Sequence, residues 1–276
     1  MSAPDGIVAL VGFPTDSNSS FLRGPAKAPP LIRAELYSEG ANPSTEAGVY
    51  LKGPGVLFDA GDAALGENGG DLAIIESTVG ELLDGGRRVI SLGGDHFVTY
   101  PIVRAFAARF DGLSIVHFDA HPDLYPIFEG NRYSHACPFA RILEDTSVRN
   151  LVQIGIRTTS SSQREVAKRF GVRAFSPYEV DAAIDALPGG PVYVTIDLDG
   201  LDPAFAPGVS HREPGGLSVR EVLATIRAIP GQIVGADVVE LNPDRDNDGT
   251  TAVVAAKFVK ELAGRIAGDA RNRERN

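Results

Sequence analysis

Apolar and polar positions recur along the chain with two different periods, and each change of period marks a predicted element. Short runs that are apolar or β-branched at nearly every position predict buried strands, whereas apolar residues three or four positions apart predict helices. The predicted strands cover 6–14, 87–96, 113–121, 150–157, 191–199 and 232–241. The predicted helices cover 71–86, 98–110, 135–145, 161–170, 178–187, 217–229 and 250–266.

This regular alternation of strands and helices predicts an α/β protein. Strands that are hydrophobic throughout are typical of a parallel sheet with both faces covered, so we expect a mainly parallel sheet between two layers of helices. No linker, repeat or low-complexity tract divides residues 1–276, which indicates a single domain. The Pro/Gly-rich stretch 22–30 is predicted to be a loop, and 268–276 a polar tail.

Charge and composition narrow the range of partners. The 276-residue chain has a net charge of −10, which argues against nucleic acid because phosphate binding needs a basic surface. No apolar run reaches the roughly 20 residues that span a bilayer, and the first residues lack the pattern of a secretory signal. The one cysteine, Cys137, is interpreted as a packed side chain, and we expect a cytoplasmic protein.

Acidic and histidine side chains occur where four of the predicted strands end. In a parallel sheet, ligands bind beyond the carboxyl ends of the strands. These ends hold Asp95 and His96; His117, Asp119, His121 and Asp123; Asp197 and Asp199; and Asp237 and Glu240. The sequence therefore predicts one shared site at this edge of the sheet.

The spacing within two of these groups indicates metal binding. Residues two apart on a strand share a face at about 6.6 Å, which pairs Asp119 with His121 and Asp197 with Asp199. Buried carboxylates are costly without a cation, and neither group contains Lys or Arg. With Asp123, the four carboxylates would balance two divalent ions, and an oxygen-rich site with two imidazoles favours Mn²⁺. Two such ions activate a water molecule for hydrolysis.

Three segments, GGDH (93–96), FDAHPD (118–123) and DLDGLDPAFAPG (197–208), together resemble the signatures of the ureohydrolases, the family of arginases and agmatinases. The longer segments 117–142, 202–218 and 235–243 are most similar to plant arginases and their bacterial relatives. The resemblance implies an arginase-like three-layer fold, two Mn²⁺ ions per chain, and assembly into trimers or hexamers. It implies one ion held by His96, Asp119, Asp123 and Asp197, and a second held by His121, Asp119, Asp197 and Asp199.

The resemblance also implies roles in catalysis and substrate binding. Asp119 and Asp197 would bridge the two ions, Glu240 would pair with the substrate guanidinium, and His135 would carry protons between solvent and the site. Asn131, in the loop after Asp123, is expected to contact the substrate, with 158–162 nearby. The reaction implied is hydrolysis of a small cationic guanidino compound to urea and an amine.

Several alternatives remain open. L-Arginine is the leading substrate, giving L-ornithine and urea, but Ser162 stands where the plant-type pattern has an acidic residue, so agmatine or another guanidino acid is an alternative. A single-zinc deacetylase or a non-catalytic relative would belong to other classes, and the complete set of six ligands argues against both. Asp95 and His117 are predicted to support the ligands, and His211 to be structural or to lie at the rim of the site.

Overall fold

A parallel sheet forms the centre of the structure, a computed structural model that describes residues 6–53, 55–66, 71–148 and 150–273. Within these ranges the strands are β1 Gly6–Phe13, β2 Gly55–Asp62, β3 Arg88–Gly93, β4 Ser114–Phe118, β5 Asn150–Ile154, β6 Arg173–Phe175, β7 Pro191–Asp197 and β8 Gln232–Val239. The helices are α1 Ala28–Leu36, α2 Asp71–Asp84, α3 Thr99–Ala107, α4 Pro138–Asp145, α5 Ser161–Phe170, α6 Val180–Asp185, α7 Val219–Ala228 and α8 Thr250–Arg273.

The strand order places β3, β8, β7 and β4 side by side in the middle of the sheet, within the sequence β2-β1-β3-β8-β7-β4-β5-β6. All of the strand pairs are parallel. The chain leaves β3 for β4 and later returns to place β7 and β8 between them. The four strands whose ends carry the candidate ligands are therefore neighbours, and their carboxyl ends share one edge.

Alternate residues of the strands pack against helices on opposite faces of the sheet. On β1, Leu10 packs in a core with residues of α1, α7 and α8, whereas Val11 packs in a second core with residues of α2, α3 and α4. Strands β4 and β8 divide their residues between the same two cores. This arrangement confirms the predicted sheet between two helical layers.

The structure differs from the sequence prediction at the sheet edges and at two helices. Residues 22–30 do not form a continuous loop, because Pro29 and Pro30 lie in the first turn of α1, where a missing N–H costs nothing. Strands β2 and β6 were not predicted, and helix α8 runs to Arg273, well beyond 266 and into the predicted polar tail. Residues 274–276 of that tail lie outside the described residues. Cys137 is buried, as predicted.

A pair of glycine substitutions tests this packing. A Cβ on Gly235, in β8, would lie 2.1 Å from a ring carbon of the buried Phe106, whereas a Cβ on Gly268, in α8, meets nothing within 4 Å. We expect Gly235→Ala to lower the free energy of unfolding by about 1–3 kcal/mol through overpacking. Gly268→Ala should raise it by about 0.5–1 kcal/mol, because alanine loses less entropy in a helix.

Urea denaturation of both variants and the wild type measures these changes. A Gly235→Ala variant as stable as the wild type would show that this part of the core is loosely packed.

Candidate metal centre

Six candidate ligands converge beyond the carboxyl ends of the central strands. His96 follows β3, Asp197 ends β7, and the rest lie in the turns just after β4 and β7. The six are His96, Asp119, His121, Asp123, Asp197 and Asp199. Five of them are less than a tenth exposed, and only His121 is more open, with its side chain 24% exposed.

The ligands form two clusters that meet at Asp119. In the first cluster, His96 Nδ1 lies 3.2 Å from Asp119 Oδ2, 3.0 Å from Asp123 Oδ2 and 3.3 Å from Asp197 Oδ2. In the second, His121 Nδ1 lies 3.4 Å from Asp119 Oδ1 and 3.2 Å from Asp199 Oδ2. Asp119 thus presents one oxygen to each cluster, as a carboxylate that bridges two ions through both of its oxygens does.

Asp197 makes the same kind of backbone contact as Asp119. Its Oδ2 faces the first cluster, but its Oδ1 accepts a hydrogen bond from the backbone N–H of Asp199 at 2.8 Å. The backbone N–H of His121 makes the equivalent bond to Asp119 Oδ1 at 2.6 Å. Strand β4 already ends at Phe118, so Asp119 and His121 do not share a strand face as the sequence predicted. Each aspartate instead closes a turn by accepting a hydrogen bond from the backbone N–H two residues further on.

The first cluster has the properties expected of a cation site. His96 Nδ1 is buried and lies close to three carboxylate oxygens, yet none is aligned for a hydrogen bond. The pKa of Asp197 is raised well above its usual range, mainly by burial and then by the negative charges of Asp199 and Asp119. Burial also raises the pKa of Asp199 to about 7. A divalent cation relieves this crowding of negative charge, and oxygen with imidazole donors suits such ions. The residues present therefore fit a metal centre.

Two further polar side chains that the sequence placed at strand ends lie behind the ligands. His117 Nε2 is 2.8 Å from Asp119 Oδ2. Asp237 is completely buried and accepts hydrogen bonds from Thr99 and from Tyr193. Thr195 pairs in register with Asp237 on the neighbouring strand, and its Oγ1 lies 3.1 Å from His96 Nε2. Asp237 therefore lies beside a residue that contacts the metal cluster.

Glu240 and His135 form a buried ion pair beside the first cluster. Glu240 Oε1 lies 2.9 Å from His135 Nδ1 and accepts a hydrogen bond from the backbone N–H of His96 at 2.9 Å. Burial alone would lower the pKa of His135, but the Glu240 carboxylate raises it to about 9. The same ion pair lowers the pKa of Glu240 against the opposing effect of burial. His135 Nε2 lies 2.8 Å from Ser20 Oγ, towards the protein surface.

Two site residues adopt backbone conformations that L-residues rarely use. Asp123 has φ 50° and Glu240 has φ 65°. Each such residue costs about 1–3 kcal/mol, which persists only where the surroundings hold it in place. The backbone N–H of Glu240 bonds to Gly94 O at 2.9 Å, and this bond fixes the carboxylate beside His96.

A cavity of about 350 Å³ opens above both clusters. The lining residues are Ser20, His121, Asp123, Tyr125, Phe128, His135, Ala136, Thr158, Thr159, Ser160, Gln163, Asp197, Asp199, His211 and Glu240. The lining thus includes Tyr125 and part of the predicted 158–162 wall, with His211 at the rim. Among the described residues, no Lys or Arg lines this cavity, so its only formal positive charges come from histidines.

Asn131 does not line the cavity in the part of the chain that is described. Its side chain instead donates to Asn18 at 3.0 Å and accepts from the backbone N–H of Tyr133 at 2.8 Å. It therefore shapes the loop that carries His135, and its contact with the substrate remains a prediction.

Sequence reasoning missed the loop that follows β1. Ser20 contacts His135 from this loop, and Asn18 and Ser19 donate hydrogen bonds to Asp95 Oδ2. Asp95 is completely buried, and burial raises its pKa to about 7. The predicted supporting role of Asp95 thus takes the form of anchoring this loop. The polar residues that follow β1 are the signal in the sequence that could have indicated this loop.

A family model described as the arginase family matches residues 7–264, and the chain belongs to this family. It is similar to "Arginase 1, mitochondrial" of Arabidopsis thaliana, 48% identical over 94% of this chain and 81% of that protein. It is also similar to the agmatinase of Bacillus anthracis, 37% identical over 92% of this chain and 90% of that protein. The solved arginase from Medicago truncatula superimposes with a TM-score of 0.89 at 42% identity, over 95% of this chain and 88% of the other.

The expectation of a cytoplasmic protein is wrong by this comparison. Arginases of Arabidopsis thaliana, Oryza sativa and Medicago truncatula at this level of similarity are named mitochondrial, or chloroplastic and mitochondrial. The expectation rested on the charge and composition of a folded domain. Those quantities do not encode a compartment, because receptors read separate address signals. None of the helices in the described ranges has the length and apolar character needed to cross a membrane.

The ion pair beside the metal clusters can be tested by titration of the metal-free protein. Replacing Glu240 by Gln removes the charge that holds the pKa of His135 at about 9. We therefore expect the pKa of His135 in Glu240→Gln to fall towards the ordinary value of about 6.5. Since the folded pKa of His135 lies above the unfolded one, its protonation beside an ionised Glu240 stabilises the fold fully below about pH 6.5, and this stabilisation is lost as pH rises through about 9.

Proton NMR of the His135 ring across this pH range gives the measurement. Ser20→Ala removes a neutral partner of the same ring and should leave the pKa near its wild-type value. If Glu240→Gln also left it unchanged, Glu240 would not be the cause of the raised pKa.

Proposed function

We propose that this protein is a binuclear manganese hydrolase that converts L-arginine to L-ornithine and urea. The observation that carries the proposal is the position of Asp119, which faces two clusters of metal-binding groups at the base of one cavity. Similarity to plant proteins named arginases, at 44–48% identity, favours arginine as the substrate. Membership of the arginase family argues against the zinc deacetylase alternative.

The two ions would share the six ligands. His96, Asp119, Asp123 and Asp197 would hold one ion, and His121, Asp119, Asp197 and Asp199 the other. When bound, the ions supply an activated water nucleophile at neutral pH. A carbon atom of a guanidinium is a weak electrophile because its charge is delocalised, and this is why the reaction needs such a nucleophile.

The protein's own contribution to substrate binding is the buried carboxylate of Glu240. A guanidinium presents paired N–H donors that match a carboxylate in a charge-assisted, two-point hydrogen bond. Glu240 is held in place by the backbone N–H of His96 and by His135, and it lines the cavity. The cavity's lack of Lys and Arg among its described residues also favours a cationic guest.

His135 is placed to move protons. Its Nδ1 meets Glu240 inside the site, and its Nε2 meets Ser20 on the outer side. Protonation near neutral pH suits the histidine to deliver a proton to the leaving amine. The nearby His211 ring, whose centroid lies 5.4 Å from that of His135, has its pKa lowered first by burial and then by the charge on His135. The charge on His135 therefore disfavours protonation of His211.

The cavity lining also bears on the choice of substrate. Thr158, Thr159 and Ser160 line the cavity, and each carries a neutral hydroxyl group that can donate to a carboxylate such as that of arginine. Agmatine has no carboxylate. An agmatinase relative at 37% identity keeps agmatine as the second candidate.

We further propose that residues 1–276 act as one domain and that the protein assembles into trimers or hexamers, which sedimentation analysis would measure.

Substrate preference is tested by a urea-release assay on the manganese-loaded protein with arginine, agmatine and 4-guanidinobutyrate in parallel. We expect arginine to be the best substrate. Its carboxylate, which agmatine lacks, can meet the hydroxyl groups of Thr158, Thr159 and Ser160, and the similarity to plant arginases favours it over 4-guanidinobutyrate, which also has a carboxylate. Turnover of agmatine without arginine would overturn the substrate and leave the reaction type intact. No urea from any of the three compounds would overturn the proposed function.

The bridging ligands are tested with Asp197→Ala. Partners that only support a metal ligand usually contribute 10–100-fold to affinity or activity, so loss of a ligand should reduce urea release by more than about 100-fold. Equilibrium dialysis should show less bound manganese. Asp181→Ala, an exposed aspartate on α6, serves as the control and should keep both properties. Wild-type activity in Asp197→Ala would remove this residue from the proposed ligand set.

A further inference from the structure

A buried row of polar side chains runs from the metal clusters into the sheet. His117, on β4, and Gln153, on the neighbouring strand β5, are completely buried and pair in register. His117 Nε2 lies 2.8 Å from Asp119 Oδ2, and His117 Nδ1 lies 3.0 Å from Gln153 Nε2. Gln153 Nε2 also donates to Pro122 O at 2.7 Å. Neither His117 nor Gln153 lines the cavity.

The contact with Pro122 fixes the direction of the glutamine amide. A backbone carbonyl only accepts hydrogen bonds, so the group facing it must be the NH₂ and not the oxygen. The second N–H of the same NH₂ then points to His117 Nδ1. That nitrogen must therefore be an unprotonated acceptor, which leaves the ring proton of His117 on Nε2, where it donates to Asp119 Oδ2.

The same reasoning decides whether His117 is a metal ligand. His96, His117 and Asp119 lie close enough together to hold an ion. A ligating Nε2 would require the proton on Nδ1, facing the NH₂ of Gln153, and two donors would then oppose each other. The His117 ring also stacks on Phe139 with centroids 4.0 Å apart, which restricts its reorientation.

We infer that Gln153 is a positioning residue for the metal centre, because it fixes the His117 proton on Nε2 and so fixes the bridging carboxylate of Asp119. The inference rests on the proposed function only in taking Asp119 as a metal ligand. Asp119 has an oxygen in each cluster, and rotation of its carboxylate would disturb both. A hydrogen bond from a neutral, buried imidazole restrains that rotation without adding positive charge beside the ions. Such supporting contacts orient ligands and tune affinity.

The first test reads the position of the proton directly. Long-range proton–nitrogen NMR of the ¹⁵N-labelled, metal-free wild type distinguishes an unprotonated ring nitrogen from a protonated one, and His117→Asn identifies the His117 signals. We expect Nδ1 unprotonated and Nε2 protonated. A protonated Nδ1 in the wild type overturns the inference, whatever the variants do.

The second test changes the glutamine. Gln153→Met keeps the bulk of the side chain but removes the NH₂, and Gln153→Glu replaces the donor with an acceptor. We expect the manganese affinity of Gln153→Met, measured by calorimetry, to fall about 10–100-fold. In Gln153→Glu, NMR should show a proton on His117 Nδ1.

Gln232→Met is the matched control, since Gln232 lies at the start of β8 and neither amide atom of its side chain has a hydrogen-bond partner among the described residues. It should leave both the manganese affinity and the His117 signals unchanged. Wild-type affinity in a folded Gln153→Met overturns the inference while the proposed function stands. A wild type that binds no manganese overturns the proposed function, and the NMR result on His117 still decides the position of its proton.

Discussion

Burial of negative charge is the constraint on which this structure depends. Four aspartates, each less than a tenth exposed, share one edge of the sheet, and moving a carboxylate out of water costs several kcal/mol even after relaxation. Backbone N–H groups offset part of this cost, as those of His121 and Asp199 do in the two turns. Imidazole nitrogens and bound cations offset the remaining cost of burying these carboxylates. Burying the four carboxylates is therefore unfavourable without cations and becomes favourable when cations bind.

The strand order is what collects these charges. Asp119 and Asp197 are far apart in the sequence, but β4 and β7 are neighbours because the chain inserts β7 and β8 between β3 and β4. Parallel strands end at the same edge, so insertion brings four loops together at one point. Glu240 follows β8 and therefore faces His96, which follows β3, across a single strand spacing.

The central strands and the convergence of the six candidate ligands could be predicted from the sequence, whereas the edges and the supporting contacts could not. Strands buried on both faces are apolar at most positions, but β2 and β6 form the two edges, and their exposed, polar residues interrupt that pattern. The aspartates and histidines of the site were visible because such residues are costly inside a protein. Gln153 and Ser20 act only through contacts between distant segments, and no spacing in the sequence records those contacts.

The proposed function assigns metal binding and substrate choice to different parts of the chain. The clusters are formed where strands end and are contacted from inside the sheet by His117 and Thr195. Loop residues such as Tyr125 and Thr159 also line the cavity and contribute no side chain to the two clusters. A loop can change its side chains without moving the strands beneath it. One scaffold can thus keep its metal-binding clusters while the loops around the cavity differ, and this chain is similar both to proteins named arginase and to a protein named agmatinase.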